Sequence, residues 1–351
     1  KIYIMWLWII IFVVLFTLSQ FYKYNPWIFW SCVIVLIVLS GFRDLCVGID
    51  TPNYKQGMTY VAMGISPYQE PGWNHLNQFI VNHGNDFNML KLLVATLTII
   101  PVAIVFIRIS PNPQLSLFFY YGMFAYLNSF NGMRQFLAIS FVLVAYMFFI
   151  ERKYIFSLIF ILIAYQFHHT AWYTLIVFAL PFYKFSKDIW TYVFLIATLV
   201  IGIVMNDSMV RSLTSSYSSY LDSSSLGYRG TSSIWFVWSL ILSILLDALF
   251  VFVYLKTDYI KRNSIIFKIF FLSIIVNNLT FKLVLGARLI LYFTIIQTIL
   301  YPIYFNKRYQ YTKWVILAYI TVLFIKILLG SGGFYGGVYP YKSVISQYIY
   351  Y

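Results

Sequence analysis

Gly41-Phe42-Arg43-Asp44-Leu45-Cys46-Val47-Gly48-Ile49-Asp50-Thr51-Pro52-Asn53-Tyr54 separates two long apolar segments. The stretch carries an adjacent Arg-Asp pair, a second Asp, two glycines, a proline and a tyrosine. Lipid cannot satisfy exposed backbone groups or charges, so a segment this polar either lies in water or lines a polar site. Gly48 and Pro52 turn the backbone tightly. It reads as the first wall of a site at one face of a membrane; the alternative is an ordinary loop.

The surroundings decide for a membrane. The chain has 351 residues, of which 62% are hydrophobic and 10% charged, with a mean hydropathy of +0.81. A soluble domain is nearer 45–50% apolar and about 25% charged. No hydrophilic stretch is long enough for a separate core, so one integral membrane domain over 1–351 is expected, with outer loops 42–88 and 206–234. The net charge of +14 is dispersed in small groups at segment ends. That is the pattern of topology signals and contacts with anionic membrane lipids, not of a nucleic-acid surface. Cys32 and Cys46 form no disulfide framework or metal-ligand spacing.

A crossing helix needs about 20 apolar residues, with a working range of about 17–25. Twelve segments are expected near 2–18, 27–41, 89–107, 115–130, 135–150, 154–168, 170–182, 189–205, 235–255, 265–281, 289–305 and 314–330. The first has no small-residue cleavage site after it and is read as a span. The pair 154–168 and 170–182 has a single tilted span as its alternative. Taken alternately, the loops 19–26, 108–114, 151–153, 183–188, 256–264 and 306–313 are short and rich in Lys and Arg. The other set is far longer and poorer in cations. The positive-inside rule makes the first set cytoplasmic. The unusual polar residues then all face outward.

Those residues form several constellations. Arg43, Asp44 and Asp50 come first; a carboxylate at the bilayer face can orient a sugar hydroxyl or act as a base. Next is Asn128-Ser129-Phe130-Asn131-Gly132-Met133-Arg134-Gln135. Arg134 opens a helix at or below the interface, where a charge is costly and faces a cavity or partner; snorkelling to lipid phosphates is the alternative. In Phe167-His168-His169-Thr170, neighbouring helix positions point about 100° apart, which makes joint metal binding awkward. A neutral His as base or hydrogen-bond donor fits better. The Ser- and Tyr-rich loop 206–234 carries Arg229 and suits carbohydrate or a mobile flap. Asn277, Asn278, Lys282 and Arg288 lie close to the same face, where two cations fit a diphosphate. Asp247 lies within a predicted span. The tail Gly330-Ser331-Gly332-Gly333-Phe334-Tyr335 to Lys342 either covers the site or hangs free.

No P-loop, no GxGxxG between strand and helix, no HExxH and no Cys cluster is present. Nucleotide use is therefore unsupported.

Four pieces, in order, carry a resemblance. They are Arg43-Asp44 with Gly48-Ile49-Asp50-Thr51 and Tyr54; Asn131 with Arg134-Gln135 and Ala138; Phe167-His168 with Thr170-Ala171; and Tyr339-Pro340-Tyr341-Lys342. The chain resembles the EpsG/Wzy group of bacterial polysaccharide polymerases. It departs from one pattern described for other members, an arginine followed eleven residues on by glycine: Tyr54 follows Arg43 at that spacing and Leu240 follows Arg229.

The resemblance implies an all-α, polytopic membrane helical bundle of about 12 segments with a GT-C-like glycosyltransferase architecture. It implies polymerisation of undecaprenyl-diphosphate-linked oligosaccharide repeats on the periplasmic face of the bacterial inner membrane. The growing glycan leaves its carrier and joins the non-reducing end of a new lipid-linked repeat. No nucleotide, metal or other cofactor is expected. A polysaccharide chain-length regulator is a possible partner. In this chemistry His168 is the expected base with Asp50 in reserve, and Arg134 is catalytic. Arg43, Asp44, Tyr54, Asn131, Gln135, Arg229, Lys282 and Arg288 are expected to bind substrate. The rivals are an O-antigen ligase, with the same donor and a different acceptor, and a repeat-unit flippase. A flippase needs charged residues deep in a cavity open to both sides, whereas here they gather at one face.

Overall fold

Asn25, Asp86 and Asn112 each start a helix by the same chemistry. Their side-chain oxygens accept hydrogen bonds from backbone N–H groups of the first turn, and Pro26 and Pro113 preset the backbone just behind two of them. The computed structural model describes residues 5–22, 24–185, 188–204, 234–281, 284–330, 337–339 and 341–345. Regular structure among the described residues is helical, apart from one isolated antiparallel bridge between Arg43 and Ser343.

The chain forms two compact units. The first comprises residues 1–175, 297–308 and 316–351. Its helices are α1 (Trp6–Phe21), α2 (Pro26–Gly41), α3 (Thr51–Ala62), α4 (Pro71–Asn82), α5 (Phe87–Ile109), α6 (Pro113–Gly122), α7 (Ala125–Asn128), α8 (Met133–Ile150) and α9 (Tyr154–Phe167). Helix α5 packs against both α2 and α8, α8 turns back onto α9, and α1 lies on α6. A 3₁₀ segment, His169–Phe182, follows α9.

Among the described residues, four helices are long and apolar enough to cross a membrane: Phe87–Ile109, Met133–Ile150, Ser239–Lys256 and Gln310–Leu329. Shorter apolar helices occupy Trp6–Phe21, Pro26–Gly41, Tyr154–Phe167, His169–Phe182, Ile189–Val204, Ile265–Thr280 and Leu291–Tyr304. Together these fall on every expected segment except 115–130. That segment is α6, buried on all sides, followed by a break and the single turn α7. The break is at Phe124, which takes a left-handed backbone (φ 66°). Segment 289–305 is likewise a series of short turns, with Pro302 in the last of them. An apolar run of this length reads the same whether lipid or protein surrounds it, so hydropathy alone misses both breaks.

The stretch 42–88 is more than a loop. Its apolar residues recur at helical spacing, as in Tyr54, Met58 and Val61, and it folds into α3 and α4. Tyr54, Met58, Trp73 and Ile80 bury themselves against Phe87, Leu90 and Val94 of α5 and Met133 and Leu137 of α8. Trp73 is fully enclosed, and a side chain of that kind contributes roughly 1.5–3 kcal/mol of burial energy. The pair α3–α4 is thereby fixed over the start of α8.

The second unit, 176–296 with 309–315, contains α10 (Asp188–Val204), α11 (Ile234–Lys256), α12 (Tyr259–Arg262), α13 (Ile265–Thr280), α14 (Val284–Leu289) and α15 (Leu291–Thr294). Helices α10 and α11 both pack on α13. Asp247 is held here by the Asn278 amide, which donates to both carboxylate oxygens at 3.0 and 3.1 Å. The turn α16 (Gln297–Leu300) belongs to the first unit and packs there on α6. The last long helix, α17 (Gln310–Gly330), turns Ile316, Ile320, Phe324 and Leu328 inward at four-residue spacing. Phe324 meets Phe12, Tyr121 and Phe124.

The tail folds back on the opening stretch. Gly48 N–H donates to the Gly337 carbonyl at 3.0 Å, Asp44 N–H to Lys342 at 2.8 Å, and Val344 N–H to Phe42 at 2.9 Å. Trp8 Nε1 donates to the Val338 carbonyl and the Tyr341 hydroxyl to the Leu39 carbonyl. Residues 337–339 and 341–345 thus pack on the opening stretch, while 331–336 and 340 of the tail lie outside the described residues. Gly48 sits where this strap meets loop 130–131, with φ +92°. An added Cβ would lie 2.6 Å from Thr51 Oγ1 and 3.0 Å from the Phe130 carbonyl. Gly48→Ala is expected to cost at least about 1–2 kcal/mol from backbone strain alone. It should lower the thermal midpoint of the purified protein by several degrees.

Candidate active site

Arg43 is almost completely enclosed, at 1% exposure. Its Nη1 donates to the Ser40 carbonyl at 2.5 Å and its Nη2 to the Phe130 carbonyl at 3.3 Å. The guanidinium also lies over the Phe130 ring, 4.9 Å from its centre. Burial pulls this cation down to about 10, which leaves it charged at neutral pH. Arg43 thus ties the end of α2 to the turn before α8. Lys91 of α5, also fully buried, donates to the Arg43 carbonyl.

Asp44 faces outward from this knot. Its partial burial opposes ionisation, but the Cys46 N–H bond and the charges of Lys91 and Lys342 outweigh that and hold its carboxyl below the usual range. Asp50 ends the stretch at the start of α3, where its N–H reaches Asn131 Oδ1 at 3.4 Å. The Thr51 hydroxyl bonds the Val47 carbonyl at 2.8 Å and reaches that of Phe130 at 3.5 Å. The first two sequence constellations therefore meet along 48–51 and 130–131.

Arg134, in the first turn of α8, is the centre of the polar cluster. Its Nη1 pairs with Glu70 Oε2 at 2.5 Å, with the two side chains 27% and 9% exposed. Its guanidinium lies over the Tyr68 ring at 4.7 Å, and its charge acts on the nearby Tyr54 phenol. Its Nε is buried with no partner. Burial pushes the Tyr54 phenol up; Arg134 pulls against that shift and Asp50 adds to it. Tyr54 therefore stands within electrostatic reach of both Asp50 and Arg134. Burial likewise raises the Tyr68 phenol. Gln135, next along α8, is buried.

His168 lies at the carboxyl end of α9, where that helix packs on α4. A Cβ on Gly72 would lie 2.9 Å from the Gln166 carbonyl, so the end of α9 abuts the residues that follow Glu70. His168 Nδ1 pairs with the Thr170 hydroxyl at 2.6 Å. One compact unit thus holds Arg43, Asp44, Asp50, Tyr54, Asn131, Arg134, Gln135 and His168. Arg288, exposed on α14, belongs to the other unit. Arg229 and Lys282 lie outside the described residues.

Glu70 and Tyr68 were not singled out from the sequence. The signal was present: the whole chain has only 10 acidic residues, and Glu70 stands directly before Pro71-Gly72 at a helix start. The family model described as the EpsG family matches residues 26–343, nearly the whole chain. The chain belongs to the EpsG family. This is the group to which the four motifs pointed, and the match runs from the start of α2 through the strap that closes on Arg43. An EpsG family protein with these apolar helices is membrane-embedded, and membership points to a polymerase-type role in polysaccharide synthesis. No curated protein and no solved structure matches the chain at a significant level.

Proposed function

We propose that this EpsG family protein polymerises undecaprenyl-diphosphate-linked oligosaccharide repeats at the periplasmic face of the inner membrane. The growing glycan is transferred from its lipid diphosphate to a hydroxyl at the non-reducing end of a new lipid-linked repeat. The observation that carries the reading is Arg134. It is a partly exposed guanidinium at a helix start, beside a carboxylate and two tyrosines, with a buried Nε donor unused. Departure of a diphosphate builds negative charge, and a fixed cation aimed at that charge is the most effective stabiliser a protein can supply. Tyr68, half-buried beside Arg134, provides an aromatic side chain and hydroxyl suited to sugar. For the proton of the attacking hydroxyl, the sequence offers His168 and Asp50. The scarcity of cations in the loops of this face supports the outward orientation.

The test is complementation in a host lacking its own polymerase. The chain should restore long polysaccharide ladders, and its absence should leave single-repeat product. Lipid-linked repeats trapped on the inner leaflet would instead identify a flippase. Repeats moved whole onto a different acceptor would identify a ligase. For orientation, Asp50→Cys should react with an impermeant thiol reagent in intact spheroplasts; protection there would reverse the assigned face.

A further inference from the structure

Glu70 occupies the position just before the first turn of α4, where an Asp or Asn side chain would bond the helix's own free N–H groups. It makes no such bond. Its side chain turns instead to Arg134 and is nearly buried there. The free end of α4 still favours negative charge nearby. Arg134 meanwhile has more donors than the carboxylate uses, since its Nε is buried and unpartnered. The titratable groups around the pair are Tyr54 on α3 and Tyr68 before α4, with Asp50 acting on Tyr54. The end of α9, which carries His168, packs against α4.

This is an exchangeable pair. A diphosphate carries more charge and more acceptor oxygens than one carboxylate, and Arg binds it bidentately. When it takes Arg134, Glu70 is left in a nearly dry pocket without its counter-charge. We propose, building on the glycan-transfer reading above, that Glu70 is the proton acceptor for the attacking sugar hydroxyl, freed for that work when Arg134 moves its grip to the donor's diphosphate. The hydroxyl O–H proton passes to the Glu70 carboxylate. The hydroxyl oxygen forms the new bond to the anomeric carbon. The bond from that carbon to the diphosphate oxygen breaks, and its electron pair leaves with the lipid diphosphate against Arg134. Glu70 then returns its proton to water and pairs with Arg134 again. The arrangement keeps the base paired with Arg134 until a donor is bound.

The experiment compares Glu70→Gln with the wild-type full chain, purified in detergent for binding and expressed in the complementation host for turnover. The binding probe is undecaprenyl diphosphate without sugar. Glu70→Gln removes the competing anion but keeps the shape. It is expected to bind the probe as tightly as wild type or several-fold tighter, while ladder formation falls by about 10²-fold or more. Unchanged ladders would overturn the proposal. Loss of probe binding together with ladders would also overturn it, since that result makes Glu70 a strut for Arg134. If Glu70→Gln does not accumulate, Glu70→Asp carries the test. It keeps the charge but withdraws it by one methylene, so binding should persist with turnover about tenfold down, and full turnover would count against the proposal. His168→Ala and Asp50→Asn complete the set: if either abolishes transfer while Glu70→Gln supports it, the proton acceptor is that residue. A wild-type chain that builds no polymer at all would refute the polymerase reading itself, which is a separate outcome.

Discussion

Arg134→Ala is expected to abolish long-chain product in the complementation host, lowering transfer by roughly 10²–10³-fold, the usual loss when a preorganised donor to a developing anion is removed. Two effects combine. The diphosphate loses its anchor, and Glu70, with a side chain only 9% exposed, loses its counter-charge. An unpartnered carboxylate in such a place is destabilising. A fully buried pair costs about 3–5 kcal/mol when broken, and the 27% exposure of Arg134 reduces this to about 2 kcal/mol here. The two effects separate in the double variant. Arg134→Ala with Glu70→Ala should recover most of the thermal midpoint, because the stranded charge is gone, yet should form no ladders. Arg134→Lys keeps a cation but gives up the planar fork and the stacking on Tyr68. It should fold normally and retain only a small part of the activity. Normal ladders in Arg134→Ala would remove Arg134 from the chemistry.

How far the site could be read in the sequence follows from what each residue depends on. Arg134, Asn131 and Gln135 stood out because a charge and two amides in an oily chain are costly unless they serve a polar site, and their grouping is local. Asp50 and Tyr54 were visible for the same reason, beside turn-forming Gly48 and Pro52. The contact that matters most to Arg134, with Glu70, joins residues 64 positions apart, and nothing local announces it. The helices of 42–88 were legible in principle. Tyr54, Met58 and Val61 mark one face of α3, but the polar content of the stretch masked that period. Segments 115–130 and 289–305 show the opposite failure. Their hydropathy is right for spans, and the breaks at Phe124 and at 295–296 come from packing and backbone constraint.

Arg43 is where the sequence and the geometry lead to different expectations, and one variant decides between them. An arginine in a polar stretch at a membrane face reads as a grip for diphosphate. In the fold its Nη1 and Nη2 donate to the carbonyls of Ser40 and Phe130, its ring partner is Phe130, and the strap pairs across it at Ser343. Arg43→Ala should therefore cost about 3–5 kcal/mol, from the cavity and from the buried Ser40 carbonyl left without its donor. Hydrogen exchange should rise at 41–48 and 337–345 together, because the strap and the stretch hold one another. Arg43→Met fills nearly the same volume without a charge to bury and should recover part of that stability. The informative measurement is the affinity of Arg43→Met for undecaprenyl diphosphate. A strut predicts near wild-type binding, with ladders lowered about tenfold because loop 48–51 no longer seats Asp50 firmly against Asn131. A direct ligand predicts at least tenfold weaker binding at an unchanged thermal midpoint. The enclosure of Arg43 favours the first outcome: no diphosphate can reach the guanidinium unless the strap lets go.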